Sequence, residues 1–112
     1  MCAAEKPIIV CLCGSTRFFE TFAKVNLEET LAGRIVLTIG CTTKSDNELF
    51  ANLPKEEKSR IKAGLDELHK RKIDIADEIY VLNVGGYIGE STRSEIEYAI
   101  LHGKKIRYLE MS

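Results

Sequence analysis

The chain is 112 residues long, with 16 Lys+Arg against 17 Asp+Glu, a net charge of -1, and 45% hydrophobic residues. That length suits one domain, residues 1–112, with no room for a second core, and the composition is that of a compact folded protein rather than a disordered one. The near-neutral balance disfavours a protein held on nucleic acid through its phosphates. The longest apolar run, Ile8 to Cys13, is far short of the roughly 20 residues that span a bilayer. The segment from Met1 to Pro7 has no signal-peptide shape. A cytoplasmic protein with no membrane contact is expected.

The elements alternate along the chain. Ile8 to Cys13 is a continuous apolar run, expected of a strand covered on both faces. It ends at Gly14-Ser15-Thr16, where Ser15 or Thr16 can cap a helix. Phe19, Phe22, Ala23, Leu27 and Leu31 recur at helical spacing up to a stop at Gly33. Ile35 to Ile39 reads as a second buried strand, followed by a polar loop over 41–54. Pro54 opens a second helix whose apolar stripe is Ile61, Leu65, Leu68, Ile75 and Ala76. Glu56–Arg60, Asp66–Lys70 and Glu67–Arg71 are i,i+4 pairs on its exposed side. Glu78 to Asn83 is the third strand. A glycine loop leads to a third helix from about Thr92 to His102, with Ile96, Ala99 and Ile100 inward, and Lys105 to Leu109 is the last strand.

This alternation predicts βαβ units and a small doubly wound parallel sheet of four to five strands, a flavodoxin-like or Rossmann-like three-layer sandwich with strand order 2-1-3-4. In such sheets ligands bind beyond the carboxyl ends of the strands, where the order reverses. Five of the eight glycines (Gly14, Gly40, Gly85, Gly86, Gly89) follow strands on that edge. The four cysteines, Cys2, Cys11, Cys13 and Cys41, form no C-x-x-C pair, and the histidines are not at zinc-ligand spacing. Cys11 and Cys13 share one strand face and read as reduced, small, buried apolar residues, so no metal is expected.

Four features carry candidate chemistry. In Gly14-Ser15-Thr16-Arg17, glycine admits a ligand to the backbone, the helix start offers free N–H groups and Arg17 a planar fork for phosphate; the bland alternative is a helix cap beside a surface arginine. The turn fits neither the dinucleotide nor the Walker pattern, and no cofactor is expected. The loop Asn83-Val84-Gly85-Gly86-Tyr87-Ile88-Gly89-Glu90-Ser91-Thr92 can wrap a ligand, with Tyr87 stacking on a base or closing the pocket, or it is a flexible connection. Glu95 borders the buried stripe of the third helix and faces the strand edge, yet Thr92-x-x-Glu95 also matches a capping box. His69 lies on the flank of the second helix's apolar stripe, either a core-edge histidine or a catalytic one. His102 is a partner for the helix dipole.

The ordered set of a C-G-S-x-R turn after the first strand, Ala76-Asp77 before the third, the glycine loop and Glu95 resembles the nucleoside 2-deoxyribosyltransferase-like proteins. Within them it is most similar to the nucleoside 5′-monophosphate N-glycosidases. The resemblance covers roughly residues 8 to 109. It implies that Glu95 is a nucleophile on the anomeric carbon, that Ser15 and Arg17 hold the phosphate, and that the glycine loop through Ser91 completes the sugar-phosphate pocket. The family's second carboxylate, eight residues ahead of the A-D pair, falls on His69, whose imidazole suits proton transfer near neutrality; Asp66, one turn away, is the alternative.

The expected function is therefore an N-glycosidase or deoxyribosyltransferase that cleaves the base–sugar bond of a nucleoside or nucleoside 5′-monophosphate, working as a homodimer. A non-catalytic nucleotide-binding module on the same fold, with Glu95 as a helix cap, is the alternative. A flavodoxin-like electron carrier is disfavoured, because the glycine loop follows strand three and Trp is absent.

Overall fold

The computed structural model describes residues 6–40 and 51–110; Cys2, Cys41 and most of the predicted polar loop lie outside them. Four parallel strands, β1 (Ile9–Cys13), β2 (Ile35–Leu37), β3 (Glu78–Val81) and β4 (Lys105–Tyr108), form one sheet in the order β2-β1-β3-β4. The α-helices among the described residues are α1 (Phe19–Leu31), α2 (Lys55–Ile75) and α3 (Glu90–Leu101). The α/β class, the parallel sheet and the strand order all agree with the sequence reading. No helix among the described residues is long and apolar enough to cross a membrane.

Strand alternation divides the core in two. Val10 and Leu12 of β1 pack with Phe22 and Val25 of α1 and with Leu82. Cys11 and Cys13 point the other way, with Ile79 and Val81 of β3, onto Ile73 of α2 and Ile96 and Ala99 of α3. The sheet is thus sandwiched between α1 and the α2–α3 pair. Gly14 is fixed by this packing, since a Cβ there would stand 3.3 Å from both the Leu82 carbonyl and the Phe22 ring.

Several local expectations are corrected. β2 stops at Leu37 and is an edge strand, with Ile35 exposed, because among the described residues only β1 pairs with it. In α1 the buried positions are Phe22, Val25 and Glu29, while Leu27 and Leu31 face outward. In α2 the buried side chains are His69 and Ile73; Leu65, Leu68 and Ile75 are exposed, because the helix docks on a face about a third of a turn from the apolar stripe. In α3, Ile100 is exposed beside the buried Ile96 and Ala99. Glu67–Arg71 forms at 3.4 Å, whereas Arg60 pairs with Glu57 instead of Glu56.

A buried ion network closes the α1 side. Arg107 of β4 donates to Glu29 of α1 and, at 3.1 Å, to Glu78 of β3, while its guanidinium lies 4.2 Å from the Tyr80 ring centroid. Arg34 reaches the second oxygen of Glu29 at 3.5 Å.

Candidate active site at the strand ends

A cleft of about 960 Å³ opens beyond the carboxyl ends of β1 and β3, the point where the strand order reverses. One wall is the turn after β1: Gly14, Ser15, Thr16 and Arg17 all border the cleft. The chain does not enter α1 directly there. A 3₁₀ turn, Thr16–Phe18, comes first, and Ser15 Oγ accepts the Arg17 N–H at 3.3 Å to cap it. Arg17 is exposed, its guanidinium 4.4 Å from the Tyr87 ring centroid and its Nη2 3.4 Å from the Tyr87 hydroxyl. The ring of Phe18 meets Tyr87 edge-on at 6.0 Å.

The glycine loop contributes unevenly. Tyr87, Gly89, Glu90 and Ser91 line the cleft, but Asn83, Gly85 and Gly86 do not. Asn83 is buried and exchanges two 2.9 Å hydrogen bonds with the backbone of Glu110, whose carboxylate also accepts the Gly85 N–H at 2.7 Å. Gly85 and Gly86 have φ of 64° and 82°, so their glycines serve a left-handed turn that leads the chain away from β3. Those three residues build the loop rather than the pocket.

The floor is where the structure departs most from the sequence reading. Helix α3 begins at Glu90, two residues earlier than expected, with Gly89 at its N-cap and no side-chain cap. Glu95 is therefore the sixth residue of the helix, beyond the orphan N–H groups, and the capping box does not form. The side chain turns inward instead. It is 8% exposed, and Oε1 is buried without a hydrogen-bond partner, 3.6 Å from His69 Nε2. His69 is likewise no core-edge residue: at 4% exposure it sits over β1, with Nε2 3.3 Å from Cys13 Sγ and 3.7 Å from Cys11 Sγ, and Nδ1 unpartnered. The two thiols are free and buried, but polar contacts with the imidazole replace the inert apolar role expected of them.

These four groups set one another's protonation. The neighbouring Cys13 thiol, aided by His69, holds Cys11 below the ordinary thiol range against the effect of burial. The same pairing and burial push Cys13 well up. For His69, burial favours the neutral ring, but Cys11 and Glu95 outweigh it and raise the pKa. Burial pushes Glu95 up to about 7, with the His69 charge opposing. A carboxyl poised near neutrality at the base of a cleft is the pattern of an acid, base or nucleophile.

Lys62, Asp66, Lys72, Thr92 and Ser94 also border the cleft. Asp66 and Lys72 stand on the same side of α2 as His69, at i−3 and i+3, a spacing that becomes readable once His69 is known to face inward. Comparison of the chain with protein-family models, with curated proteins and with solved structures finds no match.

Proposed function

We propose that the protein cleaves the N-glycosidic bond of a nucleoside or nucleoside 5′-monophosphate, by hydrolysis or base exchange, with Glu95 as nucleophile. The reading rests on the resemblance to the nucleoside 2-deoxyribosyltransferase-like proteins, and a cytoplasmic setting and homodimeric assembly belong to it. The observation that carries it is the Glu95 carboxyl, buried on the floor of the strand-end cleft with one oxygen unpaired. Ionised, that oxygen attacks the anomeric carbon as the carbon–nitrogen bond breaks, and the base departs with one proton taken up. Water then cleaves the glycosyl ester, restoring the carboxylate and releasing a proton; a second base in place of water gives exchange. His69 is a positioning residue, since its ring stands against Glu95 and its charge favours the carboxylate. Incubation with a panel of nucleosides and their monophosphates, read by chromatography for free base, tests the activity. Ligand binding without base release from any of them would leave a nucleotide-binding module.

The pH dependence follows from the Glu95 environment. Only the ionised carboxylate attacks, so base release should climb with pH through about 7 rather than through the ordinary glutamate range. A rate already at its plateau near pH 5.5 would place the nucleophile elsewhere.

Arg17 supplies the phosphate prediction. Its guanidinium rests on Tyr87 at the exposed rim and can turn toward an anion at the cost of a weak cation–π contact and a long 3.4 Å hydrogen bond to the Tyr87 hydroxyl. Monophosphates should therefore bind more tightly than their nucleosides. Arg17→Ala should remove most of that advantage, about 1.5–3 kcal/mol or roughly 10- to 100-fold in Kd by calorimetry. Equal affinity for nucleoside and nucleotide in the unmutated protein would remove the phosphate site.

A further inference from the structure

Beneath the cleft lies a cluster whose two thiols glycosidic chemistry leaves unused. Cys11 and Cys13, two residues apart on β1, present both sulfurs to one sheet face. Helix α2 lays His69 over them, and α3 brings Glu95 against the same imidazole nitrogen. The Cys11 and Cys13 sulfurs and a His69 ring nitrogen lie within 4.8 Å of one another. We propose that Cys11, Cys13 and His69 form a site for a thiophilic divalent cation of the Zn²⁺ class, with Glu95 moving in from its place beside His69 as the fourth ligand.

The spacing supports this. A tetrahedral zinc ion with sulfur at about 2.3 Å and nitrogen or oxygen at about 2.0–2.1 Å holds its ligand atoms roughly 3.3–3.8 Å apart. The cluster gives 3.3 Å and 3.7 Å for the two sulfurs to His69 Nε2; Glu95 Oε1, 3.6 Å from that nitrogen, stands outside the set of mutually close donors and needs a side-chain turn to complete the shell. Sulfur, sulfur, nitrogen and carboxylate are a borderline-soft donor set, which magnesium and calcium do not favour. Burial adds a second argument. Glu95 Oε1 is enclosed without a partner, and a buried polar atom left unpaired carries a desolvation cost that a metal bond offsets. Lys72, a cation of α2 one turn beyond His69, donates to the Thr38 carbonyl at 2.6 Å and not to this cluster. Access runs through the cleft, whose lining includes His69 and Glu95.

Binding would release the remaining thiol protons to solvent as both sulfurs coordinate as thiolates. It would also hold Glu95 on the metal and away from a sugar, so the occupied and catalytic states of this floor exclude each other. The proposal itself does not depend on turnover.

Cobalt(II) is the probe. The full chain, reduced and freed of metal with a chelator that is then removed, should take up one Co²⁺ with a thiolate-to-metal charge-transfer band and the strong visible bands of tetrahedral cobalt. Added Zn²⁺ should bleach both. The spectrum should survive Cys2→Ser with Cys41→Ser and be lost in Cys11→Ala with Cys13→Ala. In the event that the latter pair fails to fold, X-ray absorption of the zinc-loaded unmutated protein decides: two sulfurs with two nitrogen or oxygen neighbours are expected. Absence of a thiolate band, its loss on changing Cys2 and Cys41, or a zinc shell without sulfur would overturn the site. Inactivity toward every nucleotide would count against the glycosidase reading alone, because the optical signal is independent of catalysis.

Discussion

Glu95→Gln should lower base release by at least about a thousandfold, the scale of loss when a covalent nucleophile is removed, while the protein stays folded. An amide keeps the length and most of the packing but cannot form a glycosyl ester. Because Glu95 caps nothing, the substitution breaks no helix-end hydrogen bond. It also removes the cost of holding a buried carboxylate. A carboxyl whose folded pKa, about 7, lies above its ordinary 4.5 binds its proton more tightly in the native state. Its contribution therefore falls as pH rises between those values, and the amide abolishes that fall. The variant should then be more stable than the unmutated protein near pH 8, on the order of 1–3 kcal/mol in a denaturant titration. Glu90→Gln is the matched control. Glu90 lies exposed in the first turn of α3 and should keep its rate within a few-fold. Mass spectrometry of a trapped sugar adduct should find it on Glu95. Full base release by Glu95→Gln, or an adduct on Glu90, would end the mechanism.

Much of the architecture is local and so was legible in the chain. Apolar runs bounded by glycine, alternating with helical spacing, lead to the parallel sheet and to the strand order without any tertiary knowledge. The i, i+2 relation of Cys11 and Cys13 also gives their shared face. What those thiols face is another matter, since His69 lies 58 and 56 residues away and arrives only through the docking of α2 on β1. The rotation of α2 misled the reading because Leu65, Leu68 and Ile75 form a better apolar stripe than the one that is buried. That buried stripe contains a histidine, which hydrophobicity alone ranks too low. Glu95 was ambiguous for a different reason. A shift of two residues in the helix start decides between capping and burial, and such boundaries are set by the glycine loop's path rather than by the helix's own residues. Asn83 and Gly85 are tied back by Glu110, a contact 25 to 27 residues distant that the glycine spacing does not reveal.

The network around Arg107 was equally invisible in the sequence, because it joins α1, β3 and β4 across 78 residues. Arg107→Met should damage the α1 side of the sheet strongly, costing about 3 kcal/mol and lowering Tm by roughly 10 °C or more. Glu29 and Glu78 are 7% and 5% exposed, and among the described residues Arg107 is the one cation that reaches both. Methionine fills much the same volume, so the loss comes from leaving two buried carboxylates with less countercharge rather than from a cavity. Arg34 remains beside Glu29, which limits the cost on that side and leaves Glu78 the more exposed to it. Arg107→Lys should recover only part of the loss, since an ammonium has no planar fork to serve two carboxylates and stack on Tyr80. Neutralising the partners gives the decisive comparison. Glu29→Gln with Glu78→Gln in the Arg107→Met background should restore most of the stability, although it makes the sequence three changes distant from the original. A fully additive triple variant, less stable than Arg107→Met alone, would show that Arg107 acts through packing on Tyr80 and not through its charge.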